Sequence, residues 1–167
     1  MSGKIVPGLG DCFRSFAAAA DAVGASEIPM ITLWAPFAHL IFAGAKLHET
    51  RSFKPPLAKI GVPVAIHVAK TKVQDWWISP ELDELCDCYL GPDWCTSVPR
   101  GCVLGTVVIS GFVPTDGAQP ERKDRIAGDW TPGRFAWPLR DIVKFDEPVP
   151  AIGKQGWGKF KMEPPHE

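Results

Sequence analysis

Seventeen prolines and sixteen glycines are spread through the 167 residues, and they restrict this chain to short elements joined by many turns. Each proline fixes φ and removes a backbone donor, and each glycine admits turn conformations that other residues avoid. No stretch approaches 18 consecutive apolar residues, so no transmembrane helix is expected, and no membrane partner. The length suits one domain with a real core. A net charge of −1 argues against wrapping duplex nucleic acid over a broad basic surface, yet it allows a pocket that takes a single base.

The punctuation divides the chain. Residues 1–28 read as an N-terminal extension with one short helix over the alanine-rich segment Phe13–Val23. Asp11, Arg14 and Asp21 interrupt any signal-peptide core there, and five cysteines are an odd number. Both features point to reduced thiols and a cytoplasmic setting. Residues 29–160 form the expected folded domain, with residues 161–167 as a C-terminal tail.

Within that domain Met30–Trp34 reads as a strand, and Pro36 suits the first turn of a helix. Phe37, Leu40 and Ile41 give that helix its buried stripe, and Gly44 ends it. Leu47–Phe53 reads as a strand with Leu47, Glu49, Arg51 and Phe53 on one face and His48, Thr50 and Ser52 on the other. Val62–Ala69 follows as a strand with His67 opposite the valine and isoleucine face. Ser79-Pro80 starts a helix that runs to about Leu90, burying Leu82, Leu85, Cys86 and Tyr89, and Gly91-Pro92 stops it. Cys102–Val113 is the most β-branched run and is expected to be central. Pro114–Pro132 reads as a long loop, and Arg134–Leu139 and Asp141–Phe145 as two closing strands before a glycine-rich end. Five or six strands with two or three helices between them predict an α+β fold, a small mixed β-barrel with the helices packed around it.

The residues Ile31 to Ala38, followed by Gly44-Ala45-Lys46-Leu47-His48-Glu49-Thr50-Arg51, resemble the ASCH family. Its signature G-x-K-x-x-E-x-R is matched by Gly44, Lys46, Glu49 and Arg51. The similarity continues through Ala65–Lys70, Gly101–Val107, Gly133–Trp137 and Gly153–Gly156. The resemblance implies a PUA-like barrel with a cleft between barrel and first helix, and partners that are RNA or a modified nucleoside or nucleotide. It also implies hydrolase alternatives. One enzymatic branch resembles amidohydrolases that deacylate N4-acetylcytidine with a lysine and a threonine of the motif. That threonine position is Glu49 here, a departure that weakens the deacylase alternative. Another branch consists of metal-dependent ribonucleases, which would bring Mg²⁺ or Mn²⁺; no other cofactor is implied.

Seven residues carry the binding hypothesis: Trp34, Lys46, Glu49, Arg51, His67, Lys70 and Trp137. Lys46 and Arg51 can hold phosphate or a base carbonyl, and Glu49 can accept from an exocyclic amine. The bland alternative is a salt-bridged turn at a helix-to-strand corner. Trp34 and Trp137 are core residues by pattern, and by their place in the family motifs walls on which a base stacks. In an enzyme, Lys46 and His67 would be the acid or base. Cys86, Cys88, Cys95 and Cys102 lack the C-x2-C knuckles of structural zinc, so no metal site is expected.

Overall fold

The computed structural model describes residues 27–161. The helix expected over Phe13–Val23 lies outside them, as does the expected tail beyond Lys161. Along the chain come β1 (Glu27–Leu33), α1 (Phe37–Phe42), β2 (His48–Arg51), β3 (Pro63–Val68), α2 (Pro80–Leu90), α3 (Trp94–Ser97), β4 (Cys102–Ile109), β5 (Val113–Pro114), α4 (Arg122–Ile126), β6 (Phe135–Pro150) and β7 (Trp157–Lys161). The class is mixed α+β.

One seven-stranded sheet runs in the order β2-β6-β4-β3-β1-β7, with β5 on the side of β6. The pair β1/β3 is parallel and the others are antiparallel. The order ends at β2 and β7, and no pairing joins them, so the sheet is not closed into the small barrel expected from the sequence. These end strands have only four and five residues, too few to form an extended seam. The sheet still brings Trp137 on β6 and Trp157 on β7 into parallel ring contact, with centroids 6.1 Å apart.

β4 holds the centre because its eight residues are all buried, as its β-branched composition demands. Val64, Ile66, Val68, Val107, Ile109, Ile31 and Leu33 form the core with Trp137. A second cluster of Leu40, Ala45, Leu82, Cys86, Trp94 and Ala127 packs the four helices together. The Ser79 hydroxyl caps α2 by accepting from the Leu82 N–H at 3.1 Å, and Gly91 at φ 97° ends the helix. Tyr89 was expected on the buried stripe of α2 but is exposed. The stripe runs through Leu82 and Cys86 to Leu90, which takes the next inward position four residues on.

Three expectations were drawn too locally. The first strand begins at Glu27 rather than Met30, because its start pairs with the last strand, Glu27 opposite Lys161. The two closing strands are one strand of 16 residues, β6. Its first part pairs β2 and β5, its remainder pairs β4, and Asp141 at φ 48° lies within it. The long loop expected over Pro114–Pro132 holds Pro114 of β5 and the whole of α4, whose Asp124 is buried.

Candidate functional site

Gly44, at φ 84°, lets the chain turn sharply out of α1, and the Ala45 and Lys46 N–H groups both donate to the Leu40 carbonyl. This turn directs Lys46 inward. Its side chain is 2 % exposed, its Nζ donates to the Ala127 carbonyl at 2.8 Å, and it lies 3.6 Å from Glu49 Oε2. A buried ammonium is costly to remove from water and needs such partners.

Strand alternation in β2 puts Glu49 and Arg51 on one face, where Arg51 Nε donates to Glu49 Oε1 at 2.9 Å. Arg51 Nη2 also donates to the Thr32 carbonyl at 3.4 Å. The Glu49 carboxylate thus sits between two cations. Its Oε2 is buried and has no hydrogen-bond donor among the described residues.

These groups line a cavity of about 1030 Å³. Residues of β1, β2 and β3 line it together with Phe37 of α1, Leu82 of α2, the segment Ile126–Asp129 and Lys154–Gly156. Five basic side chains (Lys46, Arg51, Lys70, Arg134, Lys154) face it against two acidic ones (Glu49, Asp129). The site is therefore locally positive in a chain whose net charge is −1.

Trp34, Lys46, Glu49, Arg51, His67 and Lys70 all line this cavity. Trp137 does not. It is fully buried, its indole N–H donates to the Phe53 carbonyl at 3.2 Å, and its ring packs on Trp157. Trp137 is therefore core, as its pattern alone had indicated, and not a stacking wall.

The wall is built instead from Trp34 and Trp77, stacked at 4.6 Å with 22° between their planes. Trp34 remains 45 % exposed, so its ring can take a further stacked partner. Trp77 Nε1 is buried and has no acceptor among the described residues. Trp76, largely exposed, meets Trp77 edge-on at 5.2 Å. Trp77 was not among the residues that the sequence suggested for binding. The adjacent Trp76-Trp77 in a polar stretch was the available signal.

His67 is buried with both nitrogens engaged. Nε2 meets the Ala151 carbonyl at 3.0 Å and must carry the hydrogen, because a carbonyl only accepts. Nδ1 is then an acceptor, and it lies 3.1 Å from Thr32 Oγ1, whose hydroxyl donates to it. Burial lowers the His67 pKa, the Ala151 contact opposes this, and the Lys70 charge adds to it. The ring is held as a neutral imidazole in one tautomer.

Asp124 was missed by sequence reasoning. Its Oδ1 accepts from the Leu47 and His48 N–H groups at 2.9 and 3.1 Å, and its Oδ2 contacts His48 Nδ1 at 2.5 Å. Burial pushes its pKa up, but the His48 and backbone donors outweigh this and the net shift is down. The carboxylate clasps α4 to the start of β2, which sets the Ala127 carbonyl over Lys46. Arg134 is fixed in the same region, donating to the Thr50 and Asp129 carbonyls at 3.2 Å each. Among the described residues, no group of three or more His, Cys, Asp or Glu side chains is placed to hold a metal ion.

The crystal structure of the ASCH protein from Zymomonas mobilis resembles this chain at 16 % identity. The match covers 80 % of this chain and 87 % of that one, with a TM-score of 0.48. The chain is similar to an ASCH structure. Two single-residue mutants of the same Zymomonas mobilis protein match at 16 % identity, with TM-scores of 0.47 and 0.46. Each match again covers 80 % of this chain, and 89 % and 87 % of theirs. No family model matches the sequence, and no curated protein matches it. No helix among the described residues is long and apolar enough to cross a membrane.

Proposed function

We propose that this chain is an ASCH-like protein that holds a nucleobase, either of single-stranded RNA or of a modified nucleotide, in the cavity between the sheet and its helices. One juxtaposition carries the proposal: the half-exposed Trp34, stacked on Trp77, shares the cavity with Glu49 Oε2, which accepts no hydrogen bond among the described residues and has Lys46 Nζ 3.6 Å away. A flat aromatic ring offers stacking to any base. A buried carboxylate oxygen without a donor favours a ligand with an N–H group, as an exocyclic amine or ring imide provides. Trp77 Nε1 offers the reciprocal donor to a base carbonyl. Arg51, Lys70, Arg134 and Lys154 line the same cavity, and in this reading they meet the phosphate.

Recognition of single extruded bases needs no large positive field, which fits the near-neutral chain. The open sheet would stand where PUA-like domains have a barrel. Cys86, Cys88, Cys95 and Cys102 are free, which supports a reducing, cytoplasmic setting.

The test is equilibrium binding of cytidine and uridine monophosphates and of a labelled single-stranded RNA pentamer, to wild type and to Trp34→Ala. Loss of one stacked base should weaken binding about 5- to 150-fold, from the roughly 1–3 kcal/mol that such stacking supplies. Equal affinity in the two proteins, or no binding by wild type, would defeat the proposal.

A further inference from the structure

Thr32 and His67 are register partners in the parallel pair β1/β3, so their side chains stand side by side, and both line the cavity. Three separate features are devoted to the orientation of the imidazole. The pairing of β3 with β4 shifts register between Ile66 and His67, an irregularity of the kind that re-aims a side chain. The Ala151 carbonyl takes the Nε2 hydrogen and leaves Nδ1 as the lone-pair nitrogen facing the Thr32 hydroxyl. Gly153 lies against the ring so closely that a Cβ there would come within 2.4 Å of Cε1. A hydroxyl, a base within hydrogen-bond reach and a third group that fixes the base form the arrangement of an activated nucleophile.

We infer that Thr32 is a nucleophile for acyl transfer in this cavity, with His67 as its general base. The substrate class is an ester of a flat aromatic alcohol, whose ring would stack on Trp34 while the acyl carbon meets Thr32 Oγ. The oxygen lone pair attacks the carbonyl carbon as His67 Nδ1 takes the hydroxyl proton. The carbonyl electron pair moves to oxygen, where the Arg51 guanidinium stabilises it; Arg51 lies beside Thr32 through the 3.4 Å contact of Nη2 to the Thr32 carbonyl. Collapse expels the alcohol, which takes the proton from Nδ1, and an acyl ester remains on Thr32. Water then attacks that ester, His67 takes the water's proton and returns it to Thr32 Oγ, and the carboxylic acid leaves. The lowered pKa of His67 keeps Nδ1 unprotonated at neutral pH, as this step requires.

p-Nitrophenyl acetate tests the inference on the full chain. Wild type and Thr32→Ser should release p-nitrophenolate and carry one acetyl group, which peptide mass spectrometry places on residue 32. Thr32→Val keeps the branched strand residue but should carry no acetyl there. His67→Gln should slow acylation at residue 32 about 10²-fold or more. Acylation of wild type should follow a single deprotonation below the ordinary histidine range, a profile that a merely structural contact would not impose. An unacetylated Thr32 in wild type, or label on lysines alone, overturns the inference. So does a burst in Thr32→Val equal to wild type. Nucleotide binding by wild type, measured alongside, reports separately on the binding proposal, so either can fail alone.

Discussion

Removing the Asp124 carboxylate is the sharpest test of how the cavity is assembled. In Asp124→Ala the Leu47 and His48 N–H groups lose their acceptor, and the His48 ring loses its partner. Each buried donor left unsatisfied costs about 1–3 kcal/mol. The two together, with a small contribution from the partly exposed His48, give about 2–6 kcal/mol of destabilisation. With a urea m-value of about 2 kcal/mol/M for a domain of this size, the unfolding midpoint should fall by about 2 M. Asp124→Asn keeps an oxygen for the two N–H groups but loses the charge, so it should fall roughly half as far. The shift also has a defined pH dependence. The folded pKa of Asp124 lies below its unfolded value, so its contribution is complete above the unfolded pKa and is lost as pH falls through the folded one. The gap between wild type and Asp124→Asn should therefore close below about pH 4. A midpoint shift of less than about 0.5 M at neutral pH would refute the clasp.

The remaining predictions concern other buried groups. His39 donates to the Pro99 carbonyl at 2.9 Å, and burial lowers its pKa to about 4, with Pro99 opposing and Lys144 assisting. The unfolded state therefore takes up a proton first, and stability should fall by up to about 3 kcal/mol from pH 6.5 to 4. His39→Gln should flatten that slope in urea titrations. Glu49→Gln removes the negative charge between Lys46 and Arg51 and replaces an acceptor-only group with an amide. Competition binding should show the preference for ligands with an exposed amine reduced about 10- to 150-fold relative to carbonyl-rich ones, as one charge-assisted hydrogen bond is lost. Gly153→Ala forces a Cβ against the His67 ring, and thermal unfolding should show a loss of about 1–3 kcal/mol.

Much of the fold was legible wherever the decisive interactions are local. The Ser79 cap, the Gly91 stop and the turn at Gly44 depend on a few adjacent residues, and each took the role its chemistry suggests. The pairing of Glu49 with Arg51 follows from the two-residue period of a strand. The β-branched run at Cys102–Val113 marked the central strand because burial on both faces selects such residues, although the strand ends at Ile109.

Other features depend on partners far along the chain. β7 has no strong local pattern and exists because Glu27–Ile31 offers it an edge to pair with. Asp124 was one charge in a polar loop until folding placed it against the N–H groups of residues 47 and 48. Trp77 became a wall only when the segment before α2 laid it on Trp34, and Trp137 left the site because its strand turns it into the core. The sequence by itself determined the types of β1 to β4, α1 and α2, the cap and stop of α2 and the charged motif at Lys46–Arg51, since these follow from near-neighbour sterics and side-chain period. Only the tertiary structure decided which of those groups share a cavity and which polar atoms in it remain unpaired, because burial and pairing are set by contacts between segments distant in sequence.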